Sequence, residues 1–240
     1  MTSLLPYCGA PPLPSTLAGR FNLDPWLIAC LIGIAAIHLL RVRQGHRLSP
    51  LAGWLVAAAA LLSPLCALSV ALFSARVGQH MVLVLIAAPL IARGLPGRTG
   101  HAWPAATAFM LLLWLWHMPV PYAATFASPI VYWAMHVSLF GSAIWLWTAL
   151  LRPEADGAGS RILAGTLTSM QMGLLGAVLG LAGRPMFAAH YLTTAAWGLS
   201  PLEDQQLGGT IMWVPGIFLF MVVALQSARF AWGRHDEALA

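Results

Sequence analysis

Ile130-Val-Tyr-Trp-Ala-Met-His-Val-Ser-Leu-Phe-Gly-Ser-Ala-Ile-Trp-Leu-Trp-Thr-Ala-Leu-Leu151 is the stretch that decides the fold class. It holds no Asp, Glu, Lys, Arg or Pro, and it is as long as the ~20-residue helix that a bilayer core demands. Tyr132 and Trp133 near one end, with Trp145 and Trp147 near the other, set amphipathic rings at the spacing of two membrane interfaces. The rest of the chain follows suit. Of 240 residues, 60% are apolar and 8% charged, against roughly 25% charged in a soluble domain. A soluble core of this size could not hide so much apolar surface. A soluble enzyme, a disordered tail and a nucleic-acid-binding domain are excluded, because no basic run exists and the positive balance reflects a shortage of acids.

Working outward, apolar stretches at 25–41, 51–73, 77–92, 103–117, 130–151, 162–182 and 210–231 predict an all-α bundle of seven transmembrane helices. Residues 1–24 form an outer N-terminal segment without the basic and apolar regions of a cleavable signal, 25–231 the membrane domain, and 232–240 a cytoplasmic tail. Asp24-Pro25 reads as an N-cap before a first-turn proline. Leu95-Pro-Gly-Arg98 reads as a turn, Met118-Pro-Val-Pro121 as a stop, 154–159 as a loop and Pro215-Gly216 as a kink. All 12 basic residues are arginine. With the N-terminus outside, nine fall on cytoplasmic segments and only Arg20, Arg76 and Arg184 outside, as the positive-inside rule requires. Cys8, Cys30 and Cys66 show no C-x-x-C and no disulfide framework. Cys8 is expected outside as an incidental residue, and Cys30 and Cys66 in spans as core residues.

The 8 histidines outnumber the 7 acids. The topology places His80, His117 and His136 at one depth near the outer side of three consecutive spans, each beside a methionine in sequence: Met81, Met118 and Met135. Ionisable groups inside spans mark function, and imidazole with thioether suits copper, so this trio is the candidate metal site. Gln79, Met81, Met118, Asp204, Gln205 and Met212 are expected to support it, Asp204 and Gln205 by orienting a histidine or attracting a cation. Hydrogen-bonded histidines and helix-capping carboxylates are the plainer alternative. His38, His46, His101 and His235 are read as incidental, and His190 is left open. Gly173, Gly176 and Gly180 point to close helix packing. H-E-x-x-H, G-x-S-x-G, P-loop and C-x-x-C-H motifs are absent, and a non-enzymatic role is expected.

At these residues the chain resembles the CtaG family of assembly factors for aa3- and caa3-type cytochrome c oxidases. Pro201-Leu-Glu-Asp-Gln-Gln-Leu-Gly-Gly-Thr-Ile-Met-Trp-Val-Pro-Gly216 carries the resemblance most specifically. Phe73-Ser-Ala-Arg-Val-Gly-Gln-His80 is similar to the family's FSAHMxQH stretch, Trp116-His-Met-Pro119 to its WHxP element, and Tyr132–Trp147 to its next span. Tyr7-Cys-Gly-Ala-Pro11 and Asn22-Leu-Asp-Pro25 are similar to the start of proteobacterial members. Arg76 stands where the family often has histidine.

The resemblance implies a multi-pass protein of the bacterial plasma (inner) membrane, in contact with lipid and with cytochrome c oxidase subunits. It implies copper, as Cu(I), supplied to a catalytic-subunit or CuA centre. Three alternatives stay open at this point: a protein holding b-type haem between two of the histidines, a purely structural oxidase partner, and a copper transporter, for which no through-path is evident.

Overall fold

The computed structural model describes residues 5–95, 101–151, 157–215, 221 and 225. The described residues are helical, without strands. The turn expected at 95–98, the loop at 154–159, the kink at Pro215-Gly216, His235 and the tail at 232–240 lie wholly or partly outside them.

Asp24 caps α1 (Pro25–Arg41) as its sequence predicts: the side chain accepts from the Trp26 amide at 2.9 Å and Pro25 opens the first turn. α2 (Leu48–Leu62) stops before Ser63-Pro64, and α3 (Leu65–Ala71) leaves it at 47°. The physical cause is Pro64, which has no N–H for the Ala60 carbonyl. Gln79 Nε2 takes over that carbonyl at 2.8 Å, and the Asn22 amide caps the Leu62 carbonyl at 2.8 Å.

α4 (Phe73–Ala92) is the most enclosed of the three helices long enough to span a membrane, lying between α2 and α7 (Pro129–Leu150). It widens into a π-helical turn over Val82–Ala87, just before Pro89, whose missing N–H leaves the Leu85 carbonyl unpaired in an α ladder. Trp147 Nε1 donates to the Val84 carbonyl inside this turn at 2.7 Å. α5 (Ala102–Trp116) breaks at His117, and α6 (Pro119–Ala127) departs at 72°. The prolines at 119 and 121 thus end one helix and, being tolerated in a first turn, open the next. α8 (Ala158–Gly180) and α9 (201–215) complete the described bundle. They pack so closely that a Cβ on Gly209 would lie 2.4 Å from the Gly180 nitrogen, the small-residue contact expected of span six.

Among the described residues three helices are long and apolar enough to cross a membrane, or up to five if each bent pair is one crossing, with α1 a shorter apolar helix. The structure moves several sequence boundaries. The second expected span, 51–73, is the bent pair α2 and α3. Phe73 instead starts the third, which is thereby a full 20-residue helix rather than a short one. The polar stretch 200–209, which precedes the last expected span at 210–231, is the start of α9. The reason is a capping box: the Ser200 amide donates to Glu203 Oε2 at 2.8 Å and the Glu203 amide to Ser200 Oγ at 3.2 Å.

The cysteine expectation is overturned. Cys8 and Cys66 form a disulfide with their Cα atoms 5.5 Å apart across 58 residues of sequence. The bend at Pro64 brings Cys66 to the bundle end over which residues 5–24 fold back, a proximity no local spacing encodes. Tyr7 stacks on Tyr132, ring centroids 4.9 Å apart, and its hydroxyl donates to Asp24. That bond holds the Asp24 carboxyl below its ordinary carboxylate range. Cys30 is a free, exposed thiol. Closing a loop of this length restricts the unfolded chain, so replacing both Cys8 and Cys66 with Ser is expected to cost about 2–4 kcal/mol. Thermal unfolding of the purified protein with and without reductant checks this, and reductant should reproduce the double variant.

Candidate metal site

His80, His117 and His136 come together. His80 lies two turns into α4, His117 sits at the α5–α6 break and His136 lies two turns into α7. All three are buried, at 2%, 2% and 4% exposure. The His80 ring is the hub, with centroids 5.8 Å from His117 and 5.3 Å from His136.

Local helix geometry orients the two outer rings. His117 Nδ1 is bonded to the Leu113 carbonyl at 2.7 Å and His136 Nδ1 to the Tyr132 carbonyl at 3.1 Å, each one turn back. A carbonyl only accepts, so Nδ1 carries the proton in both rings. In the neutral ring this leaves a lone pair on Nε2. A backbone carbonyl holding one ring nitrogen while the other is free is the arrangement metal-ligating histidines show. His136 Nε2 has no hydrogen-bond partner, and His80 has none on either nitrogen. Buried polar atoms are rarely left so, and a ligand or an ordered water would satisfy them. No group of three His, Cys, Asp or Glu among the described residues is arranged to hold a metal ion as it stands. The donors brought together are imidazoles, which suit copper, zinc, iron or nickel.

The expected supporting residues fall elsewhere. Gln79 is turned toward α2, where it holds the Ala60 carbonyl. Met81 and Met212 are buried in the main apolar core, and Met118 is turned to the surface at 42% exposure. Asp204 is hydrogen-bonded to none of the three histidines. It reaches from α9 to cap α4, accepting from the Phe73 amide at 2.7 Å, the Ser74 amide at 3.1 Å and Ser74 Oγ at 2.5 Å. Gln205 ties the segment after α8, accepting from the Met186 amide at 2.6 Å and donating to the Leu179 carbonyl at 3.2 Å. The 201–209 motif therefore fixes where α4 begins, and with it the position of His80 two turns later.

Arg76, one turn before His80, is 1% exposed. Its guanidinium donates to Thr125 Oγ1 at 2.6 Å and lies over the rings of Phe126, Tyr122 and Tyr132, at 4.1, 5.1 and 5.8 Å. These aromatic contacts hold the cation where a carboxylate would otherwise be needed. Sequence reasoning missed Tyr122, Thr125 and Phe126, whose signal was a Tyr/Phe-bearing segment opened by two prolines. His190, left open, is also buried here. Its Nε2 shares a 2.7 Å hydrogen bond with the Tyr122 hydroxyl, and burial, then nearby Arg76, pushes its pKa down to about 3. His38 accepts from Trp54 Nε1 at 3.0 Å, and His46 and His101 are exposed.

The model of one protein family, described as cytochrome c oxidase caa3 assembly factor (Caa3_CtaG), matches residues 34–99 and 98–232. No curated protein and no solved structure matches the chain.

Proposed function

Because the chain belongs to the family of cytochrome c oxidase caa3 assembly factors, we propose that it receives copper as Cu(I) on His80, His117 and His136 and passes it to a subunit of the oxidase. The observation that carries this reading is the hub geometry: His117 and His136 pinned through Nδ1, with His80 between them and unpartnered on both nitrogens. Copper is cargo here, and the chain performs no catalysis. A site of two or three imidazoles without thiolate suits transfer, because ligands exchange one at a time and no anionic donor locks the ion in. Arg76 adds a fixed positive charge one turn from His80. Coulomb repulsion scales with the product of charges, so it opposes Cu(II) twice as strongly as Cu(I).

In this reading the protein crosses the bacterial plasma membrane seven times, with residues 1–24 and the histidine cluster toward the outside. Two independent observations support that orientation. Arginines concentrate on the opposite segments, and a disulfide at the Cys8–Cys66 end belongs in an oxidising compartment. The haem alternative is less well supported, since the cavity beside His136 offers no cationic side chain among the described residues to hold propionates.

Deleting the gene and assaying the oxidase tests the proposal. The expected result is an assembled enzyme that keeps its haem and loses copper and activity. A fully copper-loaded, active oxidase rejects it, and selective loss of haem favours the alternative.

A further inference from the structure

A cavity of about 520 Å³ opens between α1, α2, α4 and α7. Among the described residues α1 packs mainly on α2, and the cavity lies between α1 and α7. Trp26 and Val137, 80% and 68% exposed, stand at its lateral opening. The lining runs down the bundle in register. Tyr7, Asp24, Trp26 and Trp133 form one end, and Ile34, Trp54, Gly141 and Ile144 the other. From Asp24 to Ile34 the rise is about 15 Å at 1.5 Å per residue. That is half of the ~30 Å hydrocarbon core, the depth of one leaflet.

Apolar walls alone select nothing inside a bilayer, because lipid tails are as apolar as leucine. Selection must come from the rim. There Asp24 is the one carboxylate among the described residues lining the cavity, which include no Arg or Lys, and Tyr7, Trp26 and Trp133 line the same end. Tyr7 keeps that carboxyl in its charged form. A carboxylate with Trp and Tyr faces is a receptor for an ammonium group, and it repels an anionic head.

We propose that this cavity holds one acyl chain of an amine-headed zwitterionic phospholipid from the leaflet on the side of the N-terminal segment, its ammonium group seated at Asp24 among Tyr7, Trp26 and Trp133. His136 lines the same cavity, so the chain also closes the lateral route from lipid to the histidine cluster. The inference stands on the cavity and its rim, independently of copper.

Two variants probe the two halves of the site. Asp24→Asn removes the charge and keeps the helix cap, since Asn caps as well as Asp. Gly141→Trp fills the slot, and a Cβ on Gly141 meets nothing within 4 Å. Ile34→Trp, from the facing wall, serves if Gly141→Trp expresses poorly. The full chain is reconstituted in vesicles of equal phosphatidylethanolamine and phosphatidylglycerol, and retained lipid is read by native mass spectrometry.

The expected result is one phosphatidylethanolamine per wild-type chain, a preference reduced about threefold or more by Asp24→Asn, and no retained lipid in the filled-slot variant. Equal retention of phosphatidylglycerol by the wild type, or unchanged retention after filling the slot, overturns the proposal. So does recovery of a quinone or a partner helix in place of the phospholipid.

Discussion

A His80→Leu chain is expected to fold, reach the membrane at wild-type levels and still leave the oxidase as short of copper as a gene deletion does. The two halves of this prediction have separate causes. Neither His80 nitrogen has a hydrogen-bond partner, so no hydrogen bond is lost when the imidazole is replaced by an apolar group of similar size. An unsatisfied buried polar group costs about 1–3 kcal/mol, and removing it relieves that cost. Thermal stability should therefore hold or rise. Function should vanish because His80 is the ring that both His117 and His136 approach, so the substitution removes the ligand the other two share. His46→Ala, on an exposed turn between α1 and α2, should leave oxidase copper unchanged. Oxidase activity and copper per haem in membranes from the complemented deletion strain are the readout. A purely structural role for the histidines predicts the reverse pattern, lowered stability with copper delivery kept in whatever protein survives.

The second large effect is expected at Asp204. Its carboxylate is fully buried and satisfies two backbone amides and one hydroxyl at the start of α4. Asp204→Ala strands both amides, and charge-assisted bonds of this kind are worth about 1.5–3 kcal/mol each. A loss of about 3–5 kcal/mol follows, a fall in Tm on the order of 10 °C for a chain of this length. Ser74→Ala removes one bond and leaves the amides capped, so it should cost only about 1 kcal/mol. Scanning fluorimetry on purified protein separates the two. Because α4 carries Arg76, Gln79 and His80, the Asp204 variant should also lose copper delivery, here with a stability defect that His80→Leu lacks. An Asp204→Ala protein within 2–3 °C of wild type would contradict the capping role.

The membrane character of the chain was legible because it rests on local quantities: long runs without charge, aromatic pairs at span ends and arginine between them. The histidine trio was legible for a related reason. Counting residues along alternating helices puts His80, His117 and His136 at one depth, and the structure finds their rings in contact. Helix limits failed where a proline acts on a residue four back, as at Ala60–Pro64, or where prolines open a helix after ending one, as at Pro119. For 201–209 the plainer alternative of capping carboxylates fits Glu203, whose Ser200-x-x-Glu203 pattern is a helix-start signal, whereas Asp204 caps a different helix, α4. The Cys8–Cys66 bond and the cage of Tyr122, Phe126 and Tyr132 around Arg76 depend on contacts between distant segments, which spacing along the chain does not carry.

The most direct test of the copper-handling account is an anaerobic Cu(I) titration of the purified protein against a competing chelator, for wild type and for His80→Leu, His117→Ala and His136→Ala. One Cu(I) per wild-type chain is predicted, with binding lost in His80→Leu and weakened at least tenfold in the other two. The same stoichiometry and affinity in all four proteins would contradict it.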